Sequence, residues 1–480
     1  MGGIEDEDIA IIGSGSGAFS AAIRLANKGA KVTMIEEKTV GGTCVNVGCV
    51  PSKILIRAGQ IAHSQRFHPF EGIEKHEPVI HSMLLLEQQK MRVSELREAK
   101  YESILSQNPN IKFVQGRASL KDRSRVLIKT SETDSFEITP TKILIATGSA
   151  PTILDIEGLK ETPYWTSTDA LFSGIVPKHL IVLGGSVVAV ELAQAFSHLG
   201  SKVTMLARST LLSKEDPEIG TGLKGIFEGE GMRILTHTLP QSVRYVEGDF
   251  HVNLAEETIL GDHLLVATGR HANTKGLGLE EIGLNLDSEG RILVDDYLRT
   301  NLPNIFAVGD CTQLPQYVYV AAAAGNKAAI NMLSEHTGGE SKLDLSIVPA
   351  VTFTEPQVAT VGLSAKQAEE RGYEVETRTL TLDNVPRALA NFDTRGFIKL
   401  VADKETKRLL GSQIVASEAG DIIQTAALAI RNNMTAGELA SQLFPYLTMV
   451  EGIKLCAQTF FTDVKKLSCC ASHTDELSNL

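Results

Sequence analysis

Two short glycine-rich turns, each set between an apolar run and a helical stretch, restrict this chain more than any other feature. Residues 9–12 run into Gly13-Ser14-Gly15-Ser16-Gly17-Ala18, a helical stretch follows to Ala26, and a second apolar run over 31–35 ends at Glu36. Residues 180–183 run into Gly184-Gly185-Ser186-Val187-Val188-Ala189, a helix is expected to about Leu199, and residues 202–206 end at Ala207-Arg208. Glu36 follows Gly13 by 23 residues, and Ala207 follows Gly184 by the same 23. One such turn is a weak signal. Two in register, each in strand–turn–helix context, specify a duplicated dinucleotide-binding unit.

The chain has 480 residues, more than one core organises, so two to four domains are expected. Ile145-Ala146-Thr147-Gly148 and Val266-Ala267-Thr268-Gly269-Arg270 echo each other, each closing an apolar run as a strand returning from one domain to the next does. The run 305–310 reads as a further strand ending in a carboxylate, Asp310. From about residue 341, strand-like runs (348–353 and 397–401) alternate with an amphipathic helix over 419–431. The expected fold is α/β, with two Rossmann-like domains (1–150 with 271–340, and 151–270) and an α+β domain over 341–480. The Glu-, Lys- and Arg-rich stretch between Met83 and Leu105 reads as solvated helix.

Composition excludes several classes of function. A formal net charge of −12 disfavours nucleic acid and anionic membrane surfaces as partners. No apolar run approaches the ~18 residues needed to span a bilayer. The acidic opening, Met1-Gly2-Gly3-Ile4-Glu5-Asp6-Glu7-Asp8, is not a secretory signal, so a cytoplasmic location is expected. Six cysteines in such a chain read as catalytic or inert thiols rather than as a disulfide scaffold.

The first glycine turn lets backbone N–H groups and a helix N-terminus meet a pyrophosphate, with Ala18 as the small residue where helix meets strand. Glu36 suits a ribose diol without a 2′-phosphate. In the second unit Ala207 replaces the acid and Arg208 follows it, a pairing that favours a 2′-phosphate and hence NADPH. Ser186 stands where the middle glycine is usual, which crowds the pyrophosphate without forbidding it. Just beyond the first unit, Cys44 and Cys49 close too small a loop to act as a staple. Pro51 suits the first turn of a helix, which would place Cys49 at its positive end, with Lys53 one turn on. A dithiol charged from nicotinamide needs a two-electron intermediary, and a flavin is the natural one. Near the C-terminus, Cys469-Cys470 are adjacent. Their Cα atoms lie about 3.8 Å apart, below the ~4.4–6.8 Å of unstrained disulfides. The pair should rest as a dithiol, a soft ligand set for a soft metal ion.

Together these motifs resemble the FAD-dependent pyridine nucleotide-disulfide oxidoreductases over nearly the whole chain. The resemblance implies FAD on Gly13, Gly15, Ala18 and Glu36, with Gly116-Arg117-Ala118 meeting adenine through its backbone. It implies Thr43 and Lys53 near the isoalloxazine, Asp310 at the ribityl chain, Val318 at the pyrimidine end and Gly148 along the cofactor. NADPH would lie on Gly184, Ala189, Glu191, Arg208 and Gly269. Cys44 would be the interchange thiol, and Cys49 the thiol in charge-transfer contact with flavin. Cys311 and Cys456 read as ordinary buried thiols, and Tyr317 and Tyr319 as packing residues.

Two departures choose a branch. Members acting on thiol substrates carry His-x-His-Pro followed by a glutamate. Here Phe444-Pro445-Tyr446-Leu447-Thr448-Met449-Val450-Glu451 keeps Glu451 but places Tyr446 where the acid/base histidine belongs. A phenol titrating near pH ~10 does not shuttle protons at neutral pH as imidazole does. With Cys469-Cys470, this resembles the mercuric reductase branch. That implies reduction of Hg(II) to Hg(0) in a homodimer with active sites at the subunit interface. Cys469 and Cys470 from the partner subunit would take Hg(II) from thiol complexes and pass it to Cys44 and Cys49, with Tyr446 near the path. Val187 stands where some members have a tyrosine gating the nicotinamide pocket, and no metal-binding domain is expected ahead of residue 9. The competing readings are a glutathione- or lipoamide-type disulfide reductase, and a non-catalytic metal-sequestering or redox-sensing flavoprotein.

Overall fold

The computed structural model describes residues 8–334 and 339–466. Cys469 and Cys470 lie outside the described residues. The first sheet has five parallel strands in the order Ile305–Ala307, Lys142–Ile145, Asp8–Ile12, Lys31–Glu36, Ile111–Gln115. Both faces are covered, which is why its strands read as continuous apolar runs. Ile9 and Ile11 enter the core beneath helices Ser16–Ala26 and Val318–Met332. Ala10 and Ile12 enter the opposite core, shared with an antiparallel meander of Arg117–Leu120, Val126–Lys129 and Ser135–Ile138. The two helices touch glycine to glycine: a Cβ on Gly325 would stand 2.0 Å from the Gly17 carbonyl oxygen.

The second unit repeats the plan with four parallel strands, Arg233–Leu235, Lys202–Leu206, His179–Leu183 and His263–Val266. An antiparallel ribbon, Ser149–Pro151 with Arg270–Ala272, carries the chain between the units. The echo of the two Ala-Thr-Gly segments has a structural cause. Gly13 (φ +107°) and Gly184 (φ +133°) stand over them, and a Cβ there would lie 2.3 Å from the Ala146 oxygen and 2.2 Å from the Ala267 oxygen. Each glycine turn therefore rests on the carboxyl end of the neighbouring parallel strand, where the strand order switches and ligands enter such sheets.

The last domain is an antiparallel sheet in the order Ala350–Thr352, Gln357–Gly362, Leu409–Ala416, Phe397–Asp403, Val375–Thr381. Helices Ala419–Arg431 and Glu451–Gln458 bury their apolar faces in its core. Two ion clusters clamp the second domain's helix Pro217–Gly229 to this sheet. At its start, Lys399 Nζ lies 3.0 Å from Asp216 and 2.7 Å from Glu218; at its end, Arg395 Nη1 lies 2.7 Å from Glu230. Glu230 also accepts from Gln194 at 2.9 Å and meets His198 Nε2 at 3.1 Å, while His63 stacks on His198 with ring centroids 4.0 Å apart. Burial, then the neighbouring His198, lowers the His63 pKa to about 4. The three ligand atoms of His63, His198 and Glu230 lie within 4.8 Å of one another. Stacked rings turn their lone pairs parallel rather than convergent, and Glu230 is already engaged by a cation, so the cluster is an interdomain latch. No helix among the described residues is long and apolar enough to cross a membrane.

Three segments differ from the sequence expectation. The run 348–353 is a strand only at Ala350–Thr352. Pro349 before it has no N–H, and Phe353 after it gives its N–H to Glu191 (2.9 Å) instead of to the ladder. The run 305–310 is strand only to Ala307, and Asp310 sits in the 3₁₀ turn Gly309–Cys311. The charged helical stretch splits into Ser82–Arg97, a π-helical turn Glu98–Glu102, and Ser103–Gln107.

Candidate active site at the dithiol

Cys44 and Cys49 come from two helices, Gly42–Val47 and Cys49–Arg66, broken at Gly48. Gly41 and Gly42 both take positive φ, and a Cβ on Gly42 would lie 2.7 Å from Gly15 Cα. That approach, open only to glycine, lays the dithiol segment against the first glycine turn. Cys44 is half-buried and Cys49 exposed, at the first position of its helix. A hydrogen bond from Cys44, with the Lys53 charge in support, outweighs burial and lowers the Cys49 thiol to about 7. The same bond, with burial and the Cys49 charge, pushes the Cys44 thiol up. Of the two thiols, Cys49 is the one these surroundings favour as a thiolate.

Lys53 Nζ bonds Glu191 Oε2 at 2.8 Å, and Glu191 is 5% exposed. Its other oxygen accepts the Phe353 N–H, while the Lys53 ammonium sits 4.5 Å from the Phe353 ring centroid. Glu191, grouped from sequence with the nucleotide contacts, therefore also ties the second domain to the dithiol helix and the C-terminal domain.

Sequence reasoning missed Tyr101. The π-helical turn carries it to the site, where its ring meets Phe19 edge-on at 4.8 Å and packs beside Gly41. Burial raises its pKa, a Ser16 hydrogen bond opposes this, and the Cys44 and Cys49 charges raise it further. Its one sequence signal is that it is the lone aromatic between residues 83 and 105.

The cradle beside the dithiol fits FAD. Gly15 opens helix Ser16–Ala26, and a Cβ on Gly15 or on Gly148 (φ +69°) would point into open space. Ala18 is fully buried in that helix. Glu36 accepts from Ser14 Oγ and the Lys38 N–H, both at 2.7 Å, and its backbone oxygen accepts the Gly116 N–H at 2.8 Å. That bond brings the strand bearing Ala118 to the ribose end. Asp310 accepts from Ser149 Oγ at 2.8 Å through one oxygen, and Arg270 Nε donates to Ser149 Oγ at 2.8 Å. Thr43 is exposed beside Cys44, and Val318 opens helix Val318–Met332.

The second turn fits NADPH. Ala189 packs beneath Gly184, Ala207 lies against Gly185, and Gly269 (φ +123°) opens on free space. Arg208, exposed, directly follows Ala207 at the end of strand Lys202–Leu206, and Ser186 is the N-cap of helix Val187–His198. Elsewhere, Cys311 and Cys456 are fully buried, and burial pushes the Cys456 thiol up to about 12. Tyr317 and Tyr319 stack at 5.3 Å. Glu451, 3% exposed, begins helix Glu451–Gln458 with Oε2 lacking a hydrogen-bond partner; Tyr446 is 57% exposed in the preceding segment.

Residues 7–325 match the family described as pyridine nucleotide-disulphide oxidoreductase, and residues 348–457 match its dimerisation domain. The chain belongs to this family. Among its relatives, a mercuric reductase from Shewanella putrefaciens is 55% identical over 97% of this chain and 83% of its own length. One from Acidithiobacillus ferrooxidans is 56% identical over 96% and 84%, and one from Streptomyces lividans 45% identical over 97% and 98%. Among solved structures, the HOCl-induced flavoprotein disulfide reductase RclA from Escherichia coli has a TM-score of 0.84 at 28% identity, covering 94% of this chain and 99% of that one. LpdA from Mycobacterium tuberculosis reaches 0.83 at 28%, covering 95% and 100%. As a family member, the chain is an oxidoreductase with the glutathione reductase-like arrangement of two Rossmann-like domains and a dimerisation domain, which supports a homodimer.

Proposed function

We propose that this chain reduces Hg(II) to Hg(0) with electrons from NADPH, as a homodimer in the cytoplasm. The observation that carries this reading is the 55–56% identity, over almost the whole chain, to enzymes named mercuric reductase. The presence of Tyr446 at the place of an acid/base histidine favours it over disulfide reduction. Residues 1–150 with 271–340 hold FAD, 151–270 hold NADPH, and 341–480 form the subunit interface.

Bound FAD and NADPH supply the two-electron chemistry, and Hg(II) leaves as Hg(0) after gaining two electrons. The chain's own residues bring the metal to that point. Two thiolates favour a soft cation over harder divalent ions. The partner subunit's Cys469 and the partner subunit's Cys470 capture Hg(II) from thiol complexes by ligand exchange, each incoming thiolate displacing an outgoing thiolate. They pass it by the same exchange to Cys44 and Cys49, each new bond to mercury forming as a bond to the delivering pair breaks. Lys53 offsets the charge of the thiolate, and Tyr446 stands near the transfer path.

The direct test measures NADPH oxidation by the FAD-loaded protein with Hg(II) in excess low-molecular-weight thiol, while trapping mercury from the headspace. Oxidation dependent on Hg(II), matched by an equal amount of Hg(0), supports the reading. Oxidation without Hg(0), or rapid turnover of a disulfide instead, overturns it. The choice of nucleotide has its own test. Arg208→Glu is expected to lower kcat/KM for NADPH by roughly 10²-fold, as a charge-assisted contact of about 2–3 kcal/mol is lost. NADH should be affected far less. Unchanged selectivity would remove Arg208 from the 2′-phosphate site.

A further inference from the structure

The two sulfurs of the dithiol sit on separately held pieces of chain. Cys49 opens helix Cys49–Arg66, which packs closely on the second domain: a Cβ on Gly59 would stand 3.0 Å from the Ala195 oxygen. Cys44 rides on helix Gly42–Val47, whose six residues are too few to keep a helix by themselves. Asn46, buried on that short helix between the two cysteines, uses both ends of its amide to tie it down. Its Nδ2 donates to the Val40 oxygen at 2.8 Å and to the Gly42 oxygen at 2.9 Å, which closes the turn leading into the helix. Its Oδ1 accepts from Arg97 Nη1 at 3.1 Å, a side chain 51 positions away.

Arg97 ends helix Ser82–Arg97, where the π-helical turn Glu98–Glu102 begins. Its Nε donates to Glu102 Oε1 at 3.0 Å. Residues five apart do not face each other on an α-helix. The i→i+5 closure of the π turn brings these two onto one side. Nη2 reaches Ser94 Oγ, one turn back, at 3.4 Å. With these edges engaged in its own helical stretch, the planar fork keeps Nη1 aimed at Asn46. The same turn sets the Tyr101 ring against Gly41, just ahead of the short helix. The turn thus grips the Cys44 segment at two points. We infer that Arg97 is a positioning residue: through Asn46 it fixes helix Gly42–Val47, so that the Cys44 sulfur stays beside the Cys49 sulfur when no bond joins them.

A pair of sulfurs that must act together, on one soft ion or in one disulfide, gains from having the second sulfur already in place. The gain is an effective concentration, and it falls as the segment carrying that sulfur is given more room. Without the Arg97 fork, the Asn46 oxygen loses its charged donor and the short helix loses its tie to the charged helical stretch. The inference rests on the dithiol reading of Cys44 and Cys49 but not on the identity of the metal.

The test equilibrates the FAD-loaded full chain, carrying Cys469→Ala and Cys470→Ala, with glutathione buffers of stepped redox ratio. Closing the Cys44–Cys49 bond takes two electrons and two protons from the thiols and converts one glutathione disulfide into two glutathione thiols. The closed fraction is read, after acid quenching and alkylation, from the mass of the peptide bearing both cysteines. Arg97→Met, which keeps a good helix former, is expected to lower the equilibrium constant roughly tenfold, a rise of about 30 mV in the potential of the pair. Asn46→Ala should lower it to a similar degree, and adding Arg97→Met to Asn46→Ala should bring no further drop. Arg97→Lys keeps one charged donor and should recover part of the loss. An unchanged or higher constant in Arg97→Met, or an equal drop with and without Asn46, would overturn the inference. A purely stabilising Arg97 would lower the melting temperature and leave the constant where it was, which overturns it too. A chain that releases no Hg(0) would still show these shifts, so the two readings fail separately.

Discussion

Cys44→Ala should abolish Hg(II)-dependent NADPH oxidation, by roughly 10³-fold or more, because paired catalytic groups act as a unit. FAD should stay bound. The cradle of Gly13, Gly15, Glu36, Gly148 and Asp310 is built from strand ends and turns that do not depend on the Cys44 side chain. A second effect is expected at Cys49. The hydrogen bond from Cys44 is the leading cause of its low pKa, so its alkylation midpoint should climb from about 7 toward the ordinary thiol value of 9.0. The sign follows from which form is stabilised. A thiol donor beside Cys49 stabilises its thiolate and not its thiol, so removing the donor favours the protonated form. Stopped-flow assay of the variant, with its flavin spectrum and alkylation profile, checks all three. Substantial turnover in flavin-replete Cys44→Ala would end the dithiol assignment.

The two nucleotide units were readable because local rules and global fold agree there. A parallel strand buried on both faces has to be apolar throughout, and a turn resting on a neighbouring strand's carbonyl has to be glycine. Gly13 and Gly184 express that constraint in sequence, and so do the Ala-Thr-Gly segments beneath them. The placement of Cys49 at a helix start followed from Pro51 and held in the fold. What stayed hidden depends on contacts distant in sequence. Tyr101 reaches the dithiol through one π-helical turn inside a charged helix, and nothing in the spacing of residues 83–105 marks that turn. Phe353 looks like the end of a β-strand until its N–H is found on Glu191, 162 positions away in the chain. The insertion of antiparallel meanders, Arg117–Ile138 and Ser242–Gly261, was equally silent, since short alternating strands carry little signal. Cys469 and Cys470 are the opposite case. Their chemistry is plain in the sequence, and they lie outside the described residues, so their part in the reaction rests on chemistry alone.

Lys399→Ala should be the most destabilising change outside the nucleotide sites. Lys399 is 5% exposed in the middle of the C-terminal sheet, and its ammonium meets Asp216 and Glu218 at the start of helix Pro217–Gly229. Asp216 is 6% exposed and also caps that helix through the Glu218 N–H at 3.0 Å. Removing the lysine strands a buried carboxylate, a loss of roughly 3–5 kcal/mol. In a chain of several domains this appears first as loss of cooperativity between the second domain and the interface domain. Limited proteolysis should cut the second domain earlier, and its thermal transition should separate from the main one. Burial alone would lower the Lys399 pKa, but its bonds to Glu218 and Asp216 more than offset that and raise it. A raised folded-state pKa means the stabilisation is complete at neutral pH and is lost only as alkaline pH passes that value. The gap between the native chain and Lys399→Ala should therefore hold at neutral pH and narrow in strong base, and it should narrow in acid as well, where a proton relieves the stranded carboxylate. Combining Lys399→Met with Asp216→Asn removes both buried charges while keeping a capping side chain, and should recover much of the loss. If the double variant is as unstable as Lys399→Ala, the stranded charge is not the cause, and the packing of the lysine stem is.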